Sequence, residues 1–373
     1  MKSLETVGID NEYIKQWKAE KKKTVGTVCC HIPEEIIHAA GLLPFRVRGT
    51  GCKDDNEASL WMSNFSCSYA RACLQNCLDG RYDYMDGFAN ADGCNMIQHM
   101  FDNWKFNNPF KFTFQMNVPR LNSELGIRFY IDELKRFKAA MEELNETVIT
   151  DEDLRESIKL YNETRALIRE LYDLRKADAP YVTGTECLKV ILAAMSMPKE
   201  EFNHQLRAYI DEARKHEPIK DCNARLMVIG SSLDDPEYMQ LLERNGAIVV
   251  TDCLCYGSRY LWEEVVCDEN HDPIEAIAKC YLNRPACPRM CSLHDELFDF
   301  IMNMTKEFRV DGIVFLRLKN CVPWGGEGAF FMDKFQKAGI PVLTMDREEI
   351  TTNMGQVSVR VDAFVEMIEG EVS

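Results

Sequence analysis

The apolar positions of this chain change rhythm twice, and the changes divide it into three parts. Val25 to Cys30 is a short, mostly apolar run that predicts a buried strand. Pro33, Glu34 and Glu35 then open a helix through Ile36, Ile37 and Ala40 that Gly41 closes. Proline suits a first helical turn, acids suit the positive end of the helix dipole, and glycine commonly ends a helix. A second strand is predicted at Leu43 to Val47, and a helix follows through Tyr69, Cys73 and Leu78 to Gly80. The partly apolar stretch Met85 to Ala91 comes next, and then a helix from about Asn95 to Trp104. Alternating strands and helices predict an α/β lobe on a parallel sheet, spanning residues 1–122.

From Ser123 the rhythm lengthens. Leu125, Phe129, Ile131, Leu134, Phe137, Met141 and Leu144 recur mostly at three- and four-residue steps, which predicts long helices over residues 123–219. The strand rhythm returns at Arg225-Leu-Met-Val-Ile-Gly-Ser, Ala247-Ile-Val-Val-Thr, Gly312-Ile-Val-Phe-Leu and Ile340-Pro-Val-Leu. Helices are predicted around Tyr238–Leu242, Ile274–Tyr281, Leu293–Phe308 and Phe330–Ala338. The fold class expected is therefore α/β: two Rossmann-like lobes with parallel sheets, residues 1–122 and 220–373, joined by the helical segment 123–219.

Composition narrows the function. At 373 residues with 46% hydrophobic content the chain can fill two cores and leave a cleft between them. A net charge of -16 without a Lys/Arg cluster argues against a nucleic-acid partner. The opening MKSLETVGIDNEYIKQWKAEKKK lacks the apolar core of a signal peptide, and no apolar run reaches the roughly 20 residues that span a bilayer. A cytoplasmic protein without membrane attachment is expected. There is no Gly-x-x-x-x-Gly-Lys-Ser/Thr loop, Gly-x-Gly-x-x-Gly turn, Gly-x-Ser-x-Gly elbow or His-Glu-x-x-His helix, so ATP hydrolysis by this chain, ordinary dinucleotide binding and two common hydrolase chemistries are not expected. The seven histidines are scattered without ligand-like spacing.

Cysteine is the unusual component. In a large cytosolic protein, 16 cysteines are expected as reduced thiols, some packed as small apolar groups and some bound to metal. Cys67 lies just before a helix, and Cys73 and Cys77 lie four positions apart inside it, the spacing of packing residues. Cys94 in NADGCNM and Cys321 in FLRLKNCVPWGGEG each sit between a predicted strand and a predicted helix. The carboxyl edge of an open α/β sheet is where ligands bind. Other pairs compete. Cys29 and Cys30 would point to opposite faces of a strand, Cys253 and Cys255 would share one, and Cys287 and Cys291 flank a Pro-Arg-Met turn. The tightly spaced cysteines of a ferredoxin are absent, so spacing alone leaves these choices open.

The runs WKAEKKKTVGTVCCHIPEEIIHAAGLLPFRVRG, SCSYARACLQNCLDGRYDYMDGFANADGCNMIQHMFDNWK, DCLCYGSRYLWEEV and GIPVLTMDREEITTNMGQVSVRVDAFVEM, in this order and over nearly the whole chain, resemble the D-type subunit of the 2-hydroxyacyl-CoA dehydratase and benzoyl-CoA reductase family. The resemblance implies one 4Fe-4S cluster in the cleft between the lobes, held by Cys67, Cys94 and Cys321, with one iron lacking a protein ligand. Many relatives carry aspartate after the second and third ligands, where this chain has Asn95 and Val322.

The chemistry implied is radical elimination of water. One low-potential electron placed on the thioester carbonyl of a 2-hydroxyacyl-CoA gives a ketyl that expels the hydroxyl and acidifies the C3 hydrogen, leading to a 2-enoyl-CoA. The resemblance also implies a homologous second dehydratase subunit, a separate ATP-dependent activator protein and an acyl-CoA substrate. Alternatives within it are a benzoyl-CoA reductase subunit, an ATP-driven reductase with a double-cubane cluster, and a subunit that only relays electrons. Catalytic acid–base residues are not identified; Glu34 and Glu35 are acidic candidates whose simpler account is charge at a helix N-terminus.

Overall fold

The computed structural model describes residues 4, 8–108, 112–260, 262–285, 287–291, 293–350 and 354–372. Two parallel four-stranded sheets carry the architecture. The first comprises β1 (Thr24–Val28), β2 (Leu43–Arg46), β3 (Gly87–Ala91) and β4 (Phe112–Met116), in the order β2-β1-β3-β4. The second comprises β5 (Ala224–Gly230), β6 (Ala247–Cys253), β7 (Gly312–Leu318) and β8 (Val342–Arg347), in the order β6-β5-β7-β8. The two orders are the same. In each sheet the chain steps from the first strand to one side and then crosses to the other, which opens a crevice at the carboxyl ends of the first and third strands.

Between the sheets run α6 (Glu124–Asn145), α7 (Asp151–Asp173), α8 (Gly184–Ala194) and α9 (Lys199–Ala213), where long helices are expected. Thr150 and Thr183 begin α7 and α8 with reciprocal capping boxes to Asp153 and Glu186, satisfying amide groups that would otherwise lack partners. Helix α7 packs on α9 and on α2 (Glu34–Ala39), while α6 packs on α11 (Pro273–Asn283), so this segment touches elements of both sheet-bearing regions. The larger cluster of buried side chains runs from Phe45 in the first sheet to Phe315 in the second. A smaller one gathers Ile36, Phe114, Phe137 and Ile277 under α2, α6 and α11.

The helices Glu12–Ala19, Ala58–Trp61 and Met354–Val372 are not among the expected elements, and two further elements differ from expectation. Strand β4 is not among the expected elements, although its residues FTFQM alternate apolar and polar as a half-buried edge strand does. Helix α13 begins at Val322 rather than near Phe330. Its glycines read as loop, but Pro323 suits the first turn, and at Gly328 an added Cβ would stand 2.6 Å from the Phe315 ring, so the close approach of helix and sheet needs a residue without one. No helix among the described residues is long and apolar enough to cross a membrane.

Candidate metal centre

Cys67, Cys94 and Cys321 occupy one structural position three times. Each is the N-cap of a helix: α4 (Ser68–Leu78), α5 (Asn95–Asn107) and α13 (Val322–Ala338). None closes a capping hydrogen bond of normal length. The backbone N–H groups of Ala70, Ile97 and Trp324, each three residues further on, nevertheless favour the thiolate of the cysteine they face. The positive end of a helix dipole does the same. Cys94 lies three residues after β3 and Cys321 three residues after β7, so the two are equivalent positions on the two sheets.

The three thiols line a common cavity of about 120 Å³. Cys29, Cys255 and Cys287 line it too, giving six cysteines around one space. Cys29 follows β1 directly, at φ 74 in the left-handed region, and an added Cβ at Gly93 would lie 3.2 Å from its sulfur. That places Cys29 against the residue before Cys94. Cys94 and Cys321 are near enough to influence the ionisation of Cys67, and Cys287 to influence that of Cys29, Cys255 and Cys321. Cys29 also influences Cys94, so the six thiols form one connected set around the cavity.

Burial pushes the thiols of Cys67 and Cys321 above the ordinary cysteine range and that of Cys94 up to about 11. Metal must therefore displace protons to bind here. No three His, Cys, Asp or Glu side chains among the described residues converge closely enough for a single ion. Thiols spread around a cavity suit a polynuclear cluster instead, in which each thiolate takes its own iron. The remaining lining is apolar, hydroxyl-bearing (Tyr69, Ser231, Ser232 and Tyr256) or cationic: Arg46, Arg259 and Arg289 are all buried and face the cavity, and the lining contains no carboxylate. This donor set fits an anionic iron–sulfur group.

The other cysteines separate from this site. Cys73 and Cys77 are buried in the packing face of α4, as their spacing predicts. Cys30 turns away to the backbone oxygen of Cys255 at 3.4 Å, Cys253 is buried in β6, and Cys291 is exposed. The convergence of Cys29, Cys255 and Cys287 is not apparent from spacing, although the rule that marks Cys94 and Cys321, position after a strand, applies equally to Cys29 and Cys255.

Glu34 and Glu35 stand in the first turn of α2, where the helix dipole favours them, and are engaged further. Both are buried. Glu34 lies 3.0 Å from Lys199 and 3.9 Å from Arg46 and accepts hydrogen bonds from Tyr260 at 2.7 and 2.8 Å. Burial alone would raise its pKa, but Lys199, Arg46 and Tyr260 outweigh burial and hold it below the usual carboxylate value. Glu35 pairs with Arg165 at 2.5 Å and accepts from Tyr281 at 2.7 Å. Neither glutamate lines the cavity, and together they tie α2 to α7, α9, α11 and the turn after β6.

The profile of the 2-hydroxyglutaryl-CoA dehydratase D-component family matches residues 29–368. A benzoyl-CoA reductase subunit of Thauera aromatica is 26% identical over 371 residues, covering 97% of this chain and 95% of the relative. The (R)-phenyllactyl-CoA dehydratase beta subunit of Clostridium sporogenes is 26% identical over 356 residues, covering 95% and 94%. The (R)-2-hydroxyglutaryl-CoA dehydratase beta subunit of Acidaminococcus fermentans is 24% identical over 361 residues, again covering 95% and 94%.

Proposed function

Because the chain belongs to the 2-hydroxyglutaryl-CoA dehydratase D-component family, we propose that it is the iron–sulfur subunit of a 2-hydroxyacyl-CoA dehydratase, a lyase that removes water to give a 2-enoyl-CoA. The observation that carries this reading is the convergence of Cys67, Cys94 and Cys321, each at a helix N-terminus, on one cavity without acidic residues. These three would hold a 4Fe-4S cluster, which when bound supplies low-potential one-electron transfer. The chain's own contribution is to present thiolates, exclude bulk water and set the local field.

The size of the cavity supports a relay role for this subunit. At about 120 Å³ it is far smaller than the roughly 300–1,000 Å³ typical of pockets for organic ligands, so an acyl-CoA would not enter beside the thiols; in this reading it binds on a homologous partner subunit while this chain relays electrons. The electron source would be a separate ATP-dependent activator, since this sequence has no phosphate loop. Phe65, 83% exposed and two residues before Cys67, and Val322, 70% exposed and next to Cys321, offer an apolar rim beside the ligands for a protein partner. The absence of a basic cluster and the net charge of -16 favour neither nucleic acid nor an anionic membrane as that partner, and a cytoplasmic location fits reduced thiols.

A second reading is carried by Cys29, Cys255 and Cys287. Six thiols around one cavity are twice the number that a three-ligand cluster needs, and they would suit a double-cubane cluster in an ATP-driven reductase. The benzoyl-CoA reductase relative keeps aromatic-ring reduction as a further alternative. Anaerobic co-purification with partner identification, followed by product analysis, tests the set. A 2-enoyl-CoA supports the dehydratase, a cyclic diene supports the ring reductase, and turnover of neither by a chain that purifies with itself alone supports the double-cubane reading.

A further inference from the structure

Arg259 is the least satisfied charge in the protein's described interior around the cavity. It lies just beyond β6 on a turn held by Asp252, whose Oδ1 accepts from the N–H groups of Leu254 and Ser258 at 3.1 and 2.9 Å. The other oxygen of Asp252 takes the Tyr172 hydroxyl. Both carboxylate oxygens of Asp252 thus have partners other than Arg259. The Arg259 guanidinium is 4% exposed, faces the cavity, and has no protein partner for Nε or Nη1. Its surroundings are the Trp324 ring, 5.9 Å from its central carbon, and the thiols of Cys30, Cys253, Cys255 and Cys287.

The other two cavity arginines are accommodated. Arg46 has Glu34 at 3.9 Å, and Arg289 donates to the backbone oxygens of Val118, Pro119 and Gly93 at 2.7, 3.1 and 3.3 Å. A guanidinium cannot shed its proton, so an unpaired buried one is a standing cost unless an anion completes the site. Thiolates on iron would supply that anion.

We propose that Arg259 is a positioning residue for charge, balancing the thiolate-held cluster and making its reduction easier. This rests on the cluster reading above. The step it acts on is addition of one electron from the ATP-dependent donor to the oxidised cluster, with no bond to protein made or broken, and a fixed positive charge nearby favours the more negative product.

The test uses wild-type protein, Arg259→Lys, Arg259→Gln and Arg259→Met, purified anaerobically, with iron counted and the cluster titrated against redox dyes while its spectrum is followed. Iron-free wild-type protein would sink the cluster reading itself. In iron-containing protein, Arg259→Gln should lower the reduction equilibrium constant at least tenfold, a shift of about 59 mV for one electron, and Arg259→Lys should shift it less. Full iron with an unchanged potential in Arg259→Gln would overturn the proposal. Thermal unfolding of iron-stripped protein covers variants that fail to load. Arg259→Met, which removes the unpaired charge, should raise the stability of the stripped protein, and lower stability there would show that Arg259 is held by protein contacts and would also overturn the proposal.

Discussion

The cavity and the ion-pair network around α2 are both buried, both rich in charge, and built differently. Around α2 every cation has an acid: Arg165 has Glu35, and Lys199 and Arg46 share Glu34. Tyrosine hydroxyls complete both carboxylates. Around the cavity the guanidiniums of Arg259 and Arg289 have no carboxylate, and six thiols stand where acids would be needed. The first region is electrostatically complete and fastens elements together. The second is incomplete as protein alone, which is the property of a site made for an anionic group.

The largest expected effect breaks the second region. Serine at Cys67, Cys94 or Cys321 should abolish or degrade the proposed cluster, because each would contribute one of its three thiolates. Serine at Cys29, Cys255 or Cys287 separates the two functional readings: unchanged iron fits a three-ligand cluster, and loss of about half the iron fits a double cubane. Iron determination with visible spectra of all six variants would check both expectations.

The next effect breaks the first region. Glu35→Gln leaves Arg165 buried without its counter-ion and should destabilise the fold by about 3–5 kcal/mol, measured by chemical denaturation, while a chain that still folds keeps its iron. Retained stability would mean that the network is not what fastens α2 to α7. Acid should weaken the same region. Glu34 titrates lower in the folded chain than its ordinary 4.5, so the stability it adds is present above that value and is lost as pH falls through its folded pKa. Wild-type protein should therefore lose more stability than Glu34→Gln on acidification below about 4.5, and parallel losses would show that Glu34 does not hold the network together.

Much of the fold is legible in the sequence because strands buried on both faces, such as Ala224–Gly230, leave apolar runs, and amphipathic helices such as Glu124–Asn145 leave a three- and four-residue rhythm. The proposed ligand trio is legible for a related reason. Cys94 and Cys321 stand between a strand and a helix, and the family resemblance supplies the link to Cys67. Cys29 is hidden because strand alternation does not continue past Val28; its φ of 74 redirects the side chain into the cavity. Cys255 and Cys287 are hidden because their neighbours come from distant parts of the chain, and spacing carries no record of that contact. Glu34 and Glu35 mislead because acids at a helix start are ordinarily exposed, and their cations, Lys199 and Arg165, arrive from helices more than a hundred residues away.

The smallest effect sharpens the boundary of the site. Cys73 and Cys77 are packing residues of α4, so alanine at either should cost roughly 1 kcal/mol in stability and leave the iron in place. Loss of iron from Cys73→Ala with an intact fold would move the site off the three helix N-termini.

Whether the thiol-lined cavity holds an iron–sulfur cluster is tested most directly by counting iron and acid-labile sulfide per chain in anaerobically purified, full-length protein. About four irons are expected, with matching sulfide and visible charge-transfer absorption that bleaches in air, or about eight if all six thiols are ligands. A well-folded, anaerobically prepared protein with no iron, and none taken up on reconstitution with iron and sulfide, would contradict the cluster assignment.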